Sequence, residues 1–450
     1  MDREALKKWM GESETDFEKI SDQIWGYAET CYTETKSMQE QAAYLVSRGF
    51  TVIAPAYDIP TAMVAEYGSG NPVIGILGEY DALDALSQEA DVLECRPLAS
   101  NGKGHGCGHN LLGTAAVEAA CAVQKYITEK KLVGTVRYYG CPAEEGGAGK
   151  IYMLRRGAFK DVDIAISWHP AARTAMMSEC LSTLAARFCF RGLAAHAAAA
   201  PEKGRSALDA AELMNTGVQY LREHIPDGSR IHYAFQDVGG TRPNIVQSSA
   251  ALYYVTRAQD NATVKEIFDR VVKVAQGAAL MTETELLPIE ITNAYSNILP
   301  NDALMELLQK ETEGIYPITY TEEEESYAKA YNKAINGCEE GYDSEFHKGR
   351  ASFGSTDFGD ISWVIPSVAF AGTTVASQTA GHSWAMTGQG KSSGAHKGMH
   401  AAARLMATVA IRLMEDPKEV KKAKDAFQKE LAGRTYKSLL PQDAVPRILF

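Results

Sequence analysis

GKGHGCGHNLLG, residues 102–113, sets two histidines and a cysteine at alternate positions among glycines. His105, Cys107 and His109 are nitrogen and sulfur donors on a backbone that the glycines leave free to fold tightly. Neutral imidazole and thiolate are borderline-soft ligands that suit zinc, manganese or cobalt. Cys107 and His109, two apart in an extended loop, could serve one site or bridge two. The small-residue run that follows, Leu111 to Lys130, predicts a helix.

Outward from this loop the chain alternates strand and helix. Helices are expected over Glu14–Thr30 and Ser37–Arg48. Thr61–Tyr67 alternates as a strand would, and Val73–Leu77 is a continuous apolar run, as in a buried strand. Gly134–Gly140 and Ile164–Trp168 read as further strands, with a helix over about Lys150–Arg156 between them. This order implies an α/β fold, a mostly parallel sheet with helices on both faces, in which ligands gather at the carboxyl ends of strands. Near Leu181 the pattern changes. Strands over Thr183–Arg191, Ile231–Val238, Ala250–Arg257 and Glu285–Thr292, with helices over Ser206–Glu223 and Val264–Met281, make the split βαβ plan. After Asn297 the first pattern resumes, including a strand over Ser367–Ala371. The expected organisation is a catalytic domain of residues 1–181 and 297–450, interrupted by an inserted α+β domain of residues 182–296. The run Glu322–Glu325 reads as the solvated start of a helix.

CPAEEGGAGK, residues 141–150, places Glu144 and Glu145 side by side at a strand end. Adjacent residues on an extended backbone point to opposite sides. One carboxylate can then bind metal while the other faces a water. Metal-assisted hydrolysis needs that division, because the metal lowers the water's pKa and a free carboxylate takes its proton. His169, before a proline at another strand end, is a third donor position. A redox role for Cys107 lacks a C-x-x-C partner. Neither glycine cluster has the phosphate-loop form.

Composition narrows the remaining classes. A net charge of −12 over 450 residues argues against nucleic acid or anionic membrane as the main partner. The charged N-terminus, MDREALKKWM, carries no signal-peptide pattern, and no long apolar span appears. The eight cysteines lack framework spacing, which fits thiols in a reducing cytoplasm.

Together the motifs resemble the co-catalytic metallopeptidase and amidohydrolase family of the aminoacylases, carboxypeptidase G and the auxin-conjugate hydrolases. More narrowly they are similar to its cysteine-ligand branch. The similarity runs in order through EYDAL (79–83), GHGCGHN (104–110), PAEEGG (142–147), WHP (168–170), AAHAAAAP (194–201), GGTRPNIV (239–246), FGSTDFGD (353–360) and GHSW (381–384). The resemblance implies a di-metal exopeptidase-type domain with a lid and dimerisation insert. It implies two divalent ions, manganese or zinc with cobalt as a third choice, on Cys107, His109, Glu145, His169 and His382. Cys107 would be shared. Glu144 matches the general base. Asp81 matches the carboxylate behind the ligands. His196 matches the inserted-domain histidine that reaches a partner's site in family dimers. Asn244, Arg257 and Asp357 match substrate-holding positions. His396 is the rival fifth ligand, but its setting reads as the start of the last helix. His105 supports the loop, and His224, His232, His347 and His400 are structural.

Four departures stand out: Asn110, Leu193, Glu79 of the E-x-D pair, and Thr356 before Asp357. The implied activity is hydrolysis of the amide of an N-acyl amino acid carrying a free carboxylate, with aminobenzoyl-glutamate the first substrate. Dipeptides with a basic C-terminal residue are the alternative substrate. A non-catalytic partner subunit on the same fold is the reading from another class. The implied partners are a second copy of the chain and a paralogous A-type subunit.

Overall fold

Val73–Glu79 (β3) and Ser367–Thr373 (β13) are buried at every position. Strands this apolar must be covered on both faces. They lie inside an eight-stranded mixed sheet, in a computed structural model that describes residues 3–447. Its other strands are Thr51–Ile53 (β1), Met63–Ser69 (β2), Gly134–Cys141 (β4), Ile164–Ala171 (β5), Thr174–Cys180 (β6) and Phe346–Phe353 (β12), and the order is β1-β2-β4-β3-β5-β13-β6-β12. The central run β4-β3-β5-β13 is parallel, while β1, β2 and the β13–β6 pairing are antiparallel.

The helix His109–Lys130 packs on this sheet, with most of its residues buried. Gly113 is what lets it approach: a Cβ there would collide with the carbonyl oxygen of Glu79 at the end of β3. The helices Arg3–Tyr27 and Ser393–Glu415 join the same core, through residues such as Phe17, Met399 and Leu413. The glutamate run begins the helix Glu322–Asn336 through a capping box with Thr321, and Glu324 is buried against Lys397 rather than solvated.

Ser182–Arg191 (β7), Arg230–Asp237 (β8), Ser249–Ala258 (β9), Glu285–Leu286 (β10) and Glu290–Tyr295 (β11) form a second, antiparallel sheet. The helices Ala207–Leu221 and Asn261–Thr282 pack against it through Met214, Val218, Ile267 and Val271. The strand expected over Glu285–Thr292 is broken in two because Pro288 cannot donate to the ladder. Two strands of the large sheet, β6 and β12, carry no alternation that would reveal them. The last helix is Pro417–Leu431, one beyond the helix that contains His396.

Candidate metal centre

His109 opens its helix. Gly108 before it has φ +75, a left-handed conformation that suits glycine. The extended loop expected for Cys107 and His109 therefore ends at His109, where a helix N-terminus takes over. The two glutamates also differ from their expected strand-end geometry. After β4 the backbone turns left-handed at Ala143 (φ 56), and Glu144–Gly147 makes a short turn that leaves helical geometry at Glu145 (φ −69, ψ 69) and Gly146 (φ 87). The carboxylates diverge through this turn rather than through strand alternation.

The sequence-predicted donors converge. Cys107 Sγ lies 3.3 Å from His169 Nε2, and His382 Nε2 lies 3.4 Å from Glu145 Oε1. Ligand atoms of Cys107, His109 and His169 all lie within 4.8 Å of one another, as do those of Cys107, Glu145 and His382. Cys107 thus stands in both groups. The fit to divalent cations rests on more than proximity. His109 Nε2 and Glu145 Oε1 are buried with no hydrogen-bond partner, and an unsatisfied interior polar atom is costly.

The second ring nitrogen of two of these histidine donors is committed. His109 Nδ1 sits 2.9 Å from Asp81 Oδ1, and His169 Nδ1 sits 2.7 Å from the carbonyl of Pro170. Both contacts are to acceptors, so the ring proton belongs on Nδ1 and Nε2 offers its lone pair to the centre. Asp81 Oδ2 accepts the backbone N–H of Glu145 at 2.8 Å, so one carboxylate orients two donors. The His382 loop is tied to the motif by its own N–H, 2.8 Å from the carbonyl of Gly106.

The electrostatics separate the two glutamates. Burial and the charges of Glu79, Glu145 and Asp357 hold the Glu144 carboxyl well above its ordinary range. Burial also opposes ionisation of Glu145, but His382, His109 and Cys107 outweigh it and bring that carboxyl to about 2. At His109, burial disfavours positive charge, yet Cys107 and Asp81 prevail and hold the imidazole well above its usual value. The centre demands positive charge.

These residues open on a cavity of about 410 Å³ between the two sheets. Arg257 lines it, with Nη1 donating to Ser355 Oγ at 2.8 Å. Tyr295, at the end of β11, donates its hydroxyl to the carbonyl oxygen of Glu144 at 2.8 Å.

Other predicted residues lie elsewhere. His196 and Asn244 are neighbours, through a bridge of His196 to Ile245, but they are exposed and do not line the cavity. The Asp357 carboxylate is fully buried, 2.6 Å from Lys150 Nζ, and does not line the cavity either. His105 Nε2 contacts the carbonyl of Ile24 at 3.0 Å, and burial drives its pKa down to about 3, so it is neutral loop support. His396 contacts Asp22, away from the centre.

Glu34, Lys150 and Tyr295 carry no motif of their own, and only the folded chain brings them to the site. Lys150 stands six residues beyond Glu144, just past the glycine-rich turn in the helix Gly149–Arg155, and that closeness is the one hint the sequence offers.

Residues 75–408 match the sequence pattern of Peptidase family M20/M25/M40. The chain is 40% identical to the B-type component of p-aminobenzoyl-glutamate hydrolase from Escherichia coli (strain K12), over 95% of each chain. It is 28% identical to the Xaa-Arg dipeptidase of Mus musculus, covering 78% of this chain and 74% of that protein. A dinuclear metal binding peptidase of the M20 family from Bacillus subtilis shares its fold with a TM-score of 0.60 at 16% identity, over 90% of this chain and 98% of that one.

Proposed function

The chain belongs to peptidase family M20/M25/M40 and is a metal-dependent hydrolase of amide bonds, and from that premise we propose that its substrate is an N-acyl amino acid, p-aminobenzoyl-glutamate first. The observation that carries the reading is the double membership of Cys107 in two three-donor groups. Cys107, His109 and His169 would hold one divalent ion, and Cys107, Glu145 and His382 the other. Manganese and zinc suit this donor set, with cobalt third. Bound there, the ions would supply Lewis acidity, activating a water and polarising the scissile carbonyl.

The chain's own residues do the rest. Glu144, with its carboxyl held high, takes the proton of the attacking water and delivers it to the leaving amine. Tyr295 steadies that base through its backbone carbonyl. Arg257 presents a guanidinium fork to the free carboxylate of the substrate. The His196 ring accepts two backbone N–H groups at Nδ1, from Ala198 and Ala199, so its exposed Nε2 carries the proton. That N–H is a ready donor to an oxyanion. In a homodimer it would reach the partner's cavity, with Asn244 beside it. Residues 182–296 would then act as lid and dimerisation domain. The exposed Tyr233 and Phe235 on the edge strand β8 support that surface. Asp357, whose oxygens both accept from Lys150, would act on the substrate only through that lysine.

A paralogous A-type subunit is a second partner, suggested by the two-component naming of the relative. A cytoplasmic site is supported by eight cysteines that form no disulfide. No helix among the described residues is long and apolar enough to cross a membrane. The Xaa-Arg dipeptidase relative favours basic dipeptides as the second substrate class. Elemental analysis with an activity screen separates the cases. Two ions per chain and turnover of p-aminobenzoyl-glutamate are expected. Turnover of arginyl or lysyl dipeptides alone would move the substrate. No turnover of either class, with or without an A-type partner, would favour a non-catalytic subunit.

A further inference from the structure

Glu79, at the end of β3, belongs to none of the five predicted ligands, yet it faces the centre. Its Oε1 lies 2.6 Å from Lys150 Nζ, which lies 2.6 Å from Asp357 Oδ1 as well. Lys150 is completely buried, and so is the Asp357 carboxylate. Two carboxylates thus share one ammonium. A buried trio of that kind carries a surplus negative charge, which the interior tolerates only beside a further cation.

The second oxygen shows where that cation belongs. Glu79 Oε2 is buried with no hydrogen-bond partner and points at His109 Nε2, 3.2 Å away, which is also without one. His109 Nδ1 faces two acceptors of Asp81, Oδ1 at 2.9 Å and the carbonyl oxygen at 3.1 Å. The ring proton is therefore at Nδ1. With a cation bound, Nε2 turns its lone pair toward Glu79 Oε2 and positive charge must lie between the two; without one, that charge is the proton that Cys107 and Asp81 hold on the ring. Ligand atoms of Glu79, His109 and Glu144 all fall within 4.8 Å of one another. Two donors each ~2.1 Å from one ion are about 3.0 Å apart at a right angle and about 3.4 Å apart at the tetrahedral angle. The observed 3.2 Å lies between these.

We propose that Glu79 is a further ligand of the ion held by His109, with Lys150 and Asp357 fixing its carboxylate for that contact. The inference rests on the two-ion reading above. Lys150 occupies one oxygen of Glu79, so the other meets the ion alone. The arrangement gives that ion Cys107, His109, His169 and one carboxylate, and leaves Glu144 free to act as base.

The test uses the full chain loaded with cobalt, comparing wild type with Glu79→Gln and with the double variant Glu79→Gln/Lys150→Met. The double variant removes one buried positive and one buried negative charge, so the net charge of the cluster is unchanged and Asp357 keeps the backbone N–H of residue 150. Stoichiometry by elemental analysis, affinity by chelator competition and the visible cobalt spectrum are read on each. The wild type should hold two ions. Both variants should hold one ion as before and the other at least about tenfold more weakly, with a changed cobalt band. Two ions at wild-type affinity and an unchanged spectrum in a folded variant would overturn the assignment of Glu79. A wild type that binds fewer than two ions would instead overturn the two-ion reading, whatever Glu79 does.

Discussion

Glu34 accepts the backbone N–H of Ala143 at 2.9 Å, one residue before Glu144, the proposed base. The same carboxylate takes the N–H of Tyr32 at 3.0 Å and the hydroxyl of Thr61 at 2.7 Å. Ala143 is in the left-handed conformation, φ 56, which a non-glycine residue holds only when its surroundings impose it. Glu34 is that restraint. Glu34→Ala should lower kcat by about 100-fold, the order of loss when a reacting group is misplaced by about an ångström. Metal content should stay at the wild-type level. Glu34→Gln keeps an acceptor oxygen and should recover most of the rate. Unchanged kcat in Glu34→Ala would remove this role.

Asp81 serves His109 through Oδ1 and the Glu145 backbone through Oδ2. Asparagine has one acceptor oxygen, so Asp81→Asn takes the side-chain acceptor from one of those N–H groups, and His109 Nδ1 would keep only the Asp81 carbonyl oxygen at 3.1 Å. Metal affinity should fall by about 10- to 100-fold, as for other carboxylates that orient ligands. Chelator competition measures this directly, and wild-type affinity would show that Asp81 orients nothing.

Arg257→Gln separates carboxylate recognition from chemistry. A charge-assisted hydrogen bond contributes roughly 1.5–3 kcal/mol, so kcat/KM on an acyl-glutamate should drop by about 10- to 100-fold. The matching amide without a free carboxylate should lose nothing. Equal losses on both substrates would mean that Arg257 supports the cavity wall through Ser355 instead.

Much of this was legible in the chain because the chemistry-bearing residues sit in contiguous motifs. Cys107 and His109 stand two apart in one motif, Glu144 and Glu145 are adjacent, and His169 lies near the end of an apolar strand. The central strands were readable because burial on both faces demands unbroken apolar runs such as VIGIL. What escaped is what long-range packing decides. Lys150 looks like a surface lysine until β3 brings Glu79 and the Asp357 turn to it. The left-handed Ala143 could not be foreseen either, since Glu34 imposes it from more than 100 residues away. Asp357 is a further case: its motif marks a site residue, but only packing shows that its carboxylate faces Lys150.

His400 gives the fold a pH dependence. It lies 2.7 Å from Glu118 between the helices His109–Lys130 and Ser393–Glu415. Burial opposes its charge, but Glu118 and Glu18 outweigh that and raise its pKa from 6.5 to about 10. A folded-state pKa above the unfolded one gives stability that is complete below about 6.5 and declines as pH rises through about 10. His400→Gln should therefore lower Tm most at or below neutral pH and flatten its fall toward pH 10. Parallel Tm profiles for variant and wild type would contradict this.

Glu144 is where the whole account meets. Its side chain is 7% exposed, belongs to neither group built on Cys107, and has its carboxyl raised by burial and by neighbouring carboxylates. Hydrolysis of p-aminobenzoyl-glutamate by Glu144→Ala, with metal content measured on the same sample, tests it most directly. A fall in kcat of about 10²- to 10⁴-fold at an unchanged content of two ions is the predicted result. Hydrolysis at the wild-type rate would contradict the assignment of Glu144 as the base, and with it the mechanism.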